Sequence, residues 1–74
     1  MKLPVVSGKK LIAILKKFGF EIVRQKGSPV RIEKRIPTKI YKITIPLHKE
    51  LKKKTLKRIL IESEISIEEF HEHI

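Results

Sequence analysis

A run of basic residues at the predicted start of a helix is the feature of this sequence that points most directly to chemistry. It consists of Lys52, Lys53, Lys54, Thr55, Lys57 and Arg58. The first turn of a helix is partly positive and disfavours cations, at a cost of up to about 1 kcal/mol for each one. The free amides of that turn also bind phosphate, so we expect Lys52, Lys53, Lys54 and Lys57 to hold a nucleic-acid backbone. The alternative is a solvated run whose charges are screened by salt.

The three histidines are the side chains that could transfer protons near neutral pH. His48 follows the predicted third strand, where its ring could serve as a general acid or base. The alternative for His48 is a surface position that contacts phosphate or a protein partner. His71 and His73 are two residues apart, which places them on different faces of a helix. With no cysteine and no cluster of carboxylates in the basic part, we predict no metal site and no cofactor, so any cleavage is metal-independent.

Length and charge restrict the class of protein. A chain of 74 residues and 8.7 kDa has room for one small domain, 1–74, which excludes a multidomain enzyme. The net charge of +10 and a pI near 10.2 make a polyanion the expected partner. The N-terminal run Met1 to Val6 is too short for a signal peptide, and no stretch has the length of a membrane span. We therefore expect a soluble, cytoplasmic protein with no membrane partner.

The charges are segregated along the chain. Residues 1–58 hold all 18 basic residues and three acids, a net charge of +15, whereas residues 59–74 hold five acids and no base. A binding surface followed by an acidic end pointing elsewhere would explain this segregation. A Lys, Glu and Ile-rich composition of the kind found in thermophiles is the alternative explanation.

Helix and strand signals alternate in an order that defines the fold class. Ser7 is a predicted N-cap for a first helix with an apolar stripe, which Gly19 ends in the left-handed conformation. Residues 20–26 form a predicted strand, 27–29 a turn, and a second strand begins at Val30. Residues 34–39 are predicted to be a polar link, and 41–45 a third strand.

Two further helices complete the prediction. Apolar spacing predicts a helix from about 53 to 63, and Ser66 with Glu69 forms a capping box for a short final helix. The order is helix, three strands, helix and short C-terminal helix. A pair of helices can cover the apolar face of a three-stranded sheet, so we predict an α+β, two-layer sandwich.

Several short sequence blocks, in order along nearly the whole chain, resemble one known family. The blocks are 7–11, 15–20, 24–28, 45–48, 51–56 and 65–70, which read SGKKL, LKKFGF, RQKGS, IPLH, LKKKTL and ISIEEF. Together they resemble the HicA toxins, also called YcfA-like proteins. The resemblance implies a fold like that of a double-stranded-RNA-binding domain. It also implies an mRNA endoribonuclease that is held inactive by a HicB-type antitoxin.

One position departs from the family pattern. The family places its catalytic histidine just after the Gly-Ser of the first hairpin, where this chain has Pro29 and Val30. A valine cannot transfer a proton, so the side chain that catalyses the reaction in the family is missing at this position. His48 matches a histidine that follows the third strand in many relatives and is the candidate substitute. A module of the same fold that binds RNA or antitoxin without cleavage is the alternative function.

Around the first hairpin, Lys26, Ser28 and Arg31 flank the predicted turn. A cation there could stabilise a developing phosphorane, or the hairpin tip could simply position RNA. Aromatic residues are few, so the sequence gives little support for stacking on nucleic-acid bases. A DNA-binding or ribosomal-type protein is a further alternative, which rests on the positive charge alone.

Overall fold

The computed structural model describes residues 3–74. Met1 and Lys2, the first two residues of the run that we judged too short for a signal peptide, lie outside the described residues. Its elements are α1 (Gly8–Lys17), β1 (Glu21–Arg24), β2 (Val30–Ile36), β3 (Lys39–Ile45), α2 (Lys53–Ser63) and α3 (Ile67–His71). The three strands form one antiparallel sheet in the order β1-β2-β3. This confirms the predicted α+β order of helix, three strands, helix and short helix.

Local capping signals set the ends of the helices as predicted. The Ser7 hydroxyl accepts the Lys10 N–H at 3.0 Å at the start of α1. Gly19 follows α1 with a φ of 98°, a conformation that side chains with a Cβ rarely adopt. Ser66 and Glu69 form the predicted capping box of α3, with both hydrogen bonds present.

The predicted polar link at 34–39 is wrong. Strand β2 continues to Ile36 and pairs with β3 down to the Ile36–Lys39 position, so only Pro37 and Thr38 form the turn. The strand was missed because Lys34, a charged residue, occupies an inward-facing position in the alternation of side chains that begins at Val30. Its ammonium lies 5.8 Å from the ring centroids of both Phe20 and Tyr41, a cation–π contact that allows a lysine to hold an inner position.

The helices pack on one face of the sheet and leave the other face open. The buried side chains form one cluster: Val6, Leu11, Ile12, Ile14, Leu15, Phe20, Val30, Ile32, Ile43, Ile45, Leu51, Leu56, Ile59, Leu60, Ile65 and Phe70. Alternation along β2 and β3 places Arg31, Glu33 and Thr44 on the opposite, open face. The sandwich therefore exposes a charged sheet surface on the side away from its helical layer.

At the end of the sheet where β3 begins lies Glu64, an acidic residue of the C-terminal segment. Glu64, which ends α2 with a φ of 56°, accepts hydrogen bonds from the Tyr41 hydroxyl and from the Lys39 ammonium, the latter at 3.3 Å. Helix α3 ends at His71. His73 lies beyond it and packs its ring 4.6 Å from that of Phe18.

Candidate functional site

Two hydrogen bonds gather the loops at one end of the molecule. The Gly8 N–H at the start of α1 donates to the carbonyl oxygen of His48 at 2.9 Å. The Leu47 N–H donates to the hydroxyl oxygen of Ser28 at 3.1 Å, which ties the first hairpin to the loop after β3. The start of α1, the hairpin at 25–29 and the loop at 46–52 therefore lie at the same end, opposite Glu64. We call this the basic end.

The predicted residues of the first hairpin come together in one cavity. Lys26, Ser28 and Arg31 line an open depression of about 470 Å³ together with Arg24, Pro29 and Thr44. Among the described residues 3–74, no acidic side chain lines this cavity. Three cations and two hydroxyl groups consequently face a common space on the open side of the sheet, an arrangement suited to an anion.

The lysine run starts α2 as predicted. Lys52 is the N-cap residue, its side chain makes no capping hydrogen bond, and the first turn contains no acidic residue. Lys53, Lys54 and Lys57 are exposed on the following turns. These lysines do not line the hairpin cavity, but the loop at 46–52 connects them to the same end of the molecule. The basic end thus presents two groups of cations, one on the sheet and one on α2.

His48 is exposed in the loop between β3 and α2. Its carbonyl oxygen fixes the start of α1, whereas its imidazole makes no hydrogen bond or ion pair within residues 3–74. No carboxylate of residues 3–74 orients the ring, and His48 does not line the cavity that holds Lys26 and Arg31. The imidazole is accessible to a ligand but is not held in a preset orientation.

Val30 lies in apolar surroundings. It is 2% exposed, pairs with Ile45 across the β2–β3 ladder, and forms part of a groove of about 450 Å³. The groove is lined by Ile12, Ala13, Ile22, Val30 and Leu47, with Lys9, Lys16 and Gln25 also contributing. No histidine, aspartate or glutamate of the described part of the chain lines this groove, so it offers no acid–base pair of its own.

Sequence reasoning missed Arg24 and Thr44, which join the predicted residues in the hairpin cavity. Thr44 pairs with Arg31, and Arg24 lies opposite Arg31 on β1. The signal for Arg24 was its symmetric spacing with Arg31 about the Gly27-Ser28 turn, three residues on either side. No such signal existed for Thr44, because its position depends on the register of the third strand.

Two negative findings apply to residues 3–74. No three side chains of His, Asp or Glu lie close enough together to hold a metal ion. None of the helices in this part of the chain combines the length and the apolar character needed to cross a membrane.

A family comparison decides what kind of protein carries this site. The family model of the HicA toxin of bacterial toxin-antitoxin systems matches residues 8–65, from the first residue of α1 to just beyond α2. The chain belongs to the HicA toxin family. It is accordingly the toxin of a toxin–antitoxin pair, and membership of the family implies an antitoxin partner. No curated protein and no solved structure matches the chain.

Proposed function

We propose that this HicA toxin binds RNA, and mRNA in particular, through its basic end in the cytoplasm. The proposed contacts are Lys26, Ser28 and Arg31 on the hairpin and Lys52, Lys53, Lys54 and Lys57 on α2. The observation that carries the proposal is the hairpin cavity, where cations converge with no acid among the described lining residues. Elsewhere arginines have acidic partners: Arg58 contacts Glu62 at 3.0 Å and Arg35 contacts Glu33 at 3.8 Å.

The lysines of α2 support the same ligand from a second direction. Cations at an uncapped helix start lower the stability of the helix unless an anion neutralises them. A polyanion that contacts the free amides of the first turn, Lys52 and Lys53 would supply that charge. Contacts of this kind are made to phosphate and are independent of base sequence, so we expect a strong dependence of RNA affinity on salt.

For the cleavage step we propose metal-independent acid–base chemistry with His48 as the proton-transferring residue. Its imidazole is exposed at the basic end, on the loop that joins the hairpin to α2. An imidazole can take a proton from a ribose 2′-hydroxyl or give one to a leaving oxygen. The hairpin cations would stabilise the charge that develops on the phosphate.

A specific observation favours a second candidate, a silent module that binds RNA or antitoxin. Val30, at the position where the resemblance places the catalytic histidine, is buried against Ile45 and lines an apolar groove. A side chain there that cannot exchange protons would leave a toxin that binds RNA without cutting it.

Incubation of the purified protein with a long mRNA separates the two candidates. Cleavage that His48→Ala abolishes, while RNA affinity is retained, supports His48 as the catalytic residue. Binding without cleavage supports the silent module. Cleavage that appears only in Val30→His identifies position 30 as the place where the catalytic histidine was lost. Because Val30 is buried, the thermal midpoint of Val30→His is measured alongside. RNA retention no greater than that of a neutral protein at modest ionic strength contradicts the first candidate and the RNA-binding form of the second.

We further propose that a HicB-type antitoxin of acidic character covers the basic end or pairs with a free sheet edge. Strand β1 is an edge strand, and the adjoining groove combines an apolar floor with Lys9 and Lys16. An acidic segment laid there would neutralise charge and obstruct RNA. Competition between antitoxin and RNA tests this proposal, since a ternary complex with unchanged RNA affinity contradicts it.

A further inference from the structure

The register of the sheet brings two arginines directly face to face. Arg24 on β1 lies opposite Arg31 on β2, and Arg31 lies opposite Thr44 on β3. All three side chains line the same cavity on the open face. Like charges directly opposite each other in an antiparallel pair are destabilising, so this row of the sheet is suboptimal for the protein on its own.

A β-bulge is responsible for the arrangement. The register runs Glu21–Glu33 and Ile22–Ile32, then shifts so that Arg24 rather than Val23 faces Arg31. With a regular ladder, Val23 would occupy the position opposite Arg31. Bulges commonly re-aim a side chain near a functional site, and here the extra residue turns an arginine into the cavity.

The neighbouring row of the same face also has a like-charge pair, Glu21 opposite Glu33, but there the acid has cationic neighbours. There Glu33 pairs with Lys42 across the ladder, and its carboxylate lies 3.8 Å from the Arg35 guanidinium. In contrast, Arg24 and Arg31 have no hydrogen bond or ion pair to any side chain within residues 3–74. Their ten N–H donors, five for each guanidinium, are therefore available to a ligand.

Ser28 adds a further donor. Its hydroxyl oxygen accepts the Leu47 N–H at 3.1 Å, which leaves the hydroxyl hydrogen free to donate to a ligand. Lys26 contributes an ammonium group and Thr44 a second hydroxyl to the same cavity. Guanidinium groups, an ammonium and hydroxyls converging without a carboxylate are the chemistry of phosphate recognition.

We propose that Arg24 and Arg31 clamp one phosphate group between β1 and β2, with Lys26, Ser28 and Thr44 as additional donors. We call this set the arginine clamp. For RNA as the ligand the clamp rests on the proposed function, and it then holds a backbone phosphodiester on the open face of the sheet. Free inorganic phosphate offers the same oxyanion and is the other source that the experiment distinguishes.

Paired variants with identical charge change test the arginine clamp. Arg24→Gln and Arg31→Gln remove one charge each from the clamp, whereas Arg35→Gln removes one from the same face of β2, next to Glu33. We measure the affinity of the full chain for a single-stranded RNA across a salt series. Each clamp variant is expected to lose about tenfold in affinity and to flatten the salt dependence by about one ion, with less than about twofold loss for Arg35→Gln. Equal losses in all three variants overturn the clamp for RNA.

A second measurement keeps the clamp testable if RNA binding itself fails. Inorganic phosphate should raise the thermal midpoint of the wild type and of Arg35→Gln by several degrees more than that of Arg24→Gln, with chloride at matched ionic strength as the reference. That difference, in a protein that does not retain RNA, supports a free-phosphate site and contradicts the proposed function. Equal shifts in all proteins, together with equal RNA losses, overturn the clamp altogether.

Discussion

Gly8 lies directly against the carbonyl oxygen of Pro46. A Cβ on Gly8 would lie 2.0 Å from that oxygen and 3.1 Å from the Cα of Leu47, both of which are backbone atoms. The same glycine donates its N–H to the His48 carbonyl oxygen. The start of α1 and the loop after β3 thus approach so closely that a Cβ does not fit between them, and this contact fixes the loop that carries His48.

We therefore predict that Gly8→Ala destabilises the protein by about 1–3 kcal/mol, because backbone atoms must move to admit the methyl group. In a helix without such a contact, replacement of glycine by alanine stabilises by up to about 1 kcal/mol, so the sign of the effect is diagnostic. Urea unfolding of Gly8→Ala and of Lys10→Ala, an exposed control in the same turn, measures it. An increase in the free energy of unfolding for Gly8→Ala would refute the close contact.

For the lysines at the start of α2 we predict opposite effects on stability and binding. Replacing Lys52, Lys53 and Lys54 together by glutamine should raise the free energy of unfolding by about 1 kcal/mol at low ionic strength, because repulsion by the helix dipole is relieved. The same variant should lose at least about tenfold in RNA affinity, with a salt dependence flatter by about two ions.

A control variant with glutamine at Lys16, Lys17 and Lys42 removes the same charge elsewhere. Lys16 and Lys17 lie in the last turn of α1, where cations are favourable, so this control should lose rather than gain stability. If both triple variants lose RNA affinity equally, the α2 lysines act only through net charge and form no local contact.

The tie between the first hairpin and the loop after β3 gives a third prediction. Ser28→Ala removes the acceptor of the Leu47 N–H and should cost about 1 kcal/mol of stability. Hydrogen exchange at the Leu47 amide should accelerate, while the Leu51 amide, bonded to the Val6 carbonyl oxygen at 2.8 Å, keeps its protection as an internal reference. Unchanged exchange at Leu47 contradicts the hydrogen bond.

Acid sensitivity gives a fourth prediction. The Ser66 backbone N–H, and to a lesser degree the Ser66 hydroxyl, hold the pKa of Glu69 below its ordinary value. The Tyr41 hydroxyl, and then Lys39, lower the pKa of Glu64 in the same direction. A carboxyl with a lowered pKa in the folded state stabilises the protein above its unfolded pKa, and this contribution is lost as pH falls through the folded pKa.

Stability should therefore decline as pH falls below the ordinary glutamate value of about 4.3. Glu69→Gln should show a shallower decline than the wild type, measured as the urea midpoint across this range at constant ionic strength. Glu50→Gln, which changes an exposed loop carboxylate with no side-chain partner in residues 3–74, should follow the wild-type curve. Identical curves for Glu69→Gln and the wild type contradict the assignment.

Features encoded over a few residues could be predicted from the sequence. The N-cap at Ser7, the left-handed Gly19 and the capping box at Ser66 each depend on backbone groups within four residues, and all three are confirmed. The order of helices and strands followed from these signals and from apolar spacing. The extent of β2 did not, because Lys34 lies on its inner face through contacts with Phe20 and Tyr41 that are distant in sequence.

In the candidate site, too, the features set by neighbouring residues were predictable and those set by strand pairing were not. Lys26, Ser28 and Arg31 were identifiable because they flank one turn, and they do share a cavity. The opposition of Arg24 and Arg31 depends on the bulge at Val23, and the place of Thr44 depends on pairing between β2 and β3. Neither a bulge nor a strand register is specified by the residue types at these positions alone, so the complete clamp could be recognised only in three dimensions.

The separation of the basic end from Glu64 has a kinetic consequence. Strand β3 spans seven residues, or roughly 20 Å, between Ile45 near the hairpin and Lys39 beside Glu64. This distance exceeds the Debye length of about 10 Å at 0.1 M salt. A polyanion near the basic end is therefore largely screened from the charge of Glu64 at the other end. For the proposed RNA ligand, attraction to the basic end would orient the toxin during a diffusional encounter, which would raise the association rate and make that rate fall steeply with added salt.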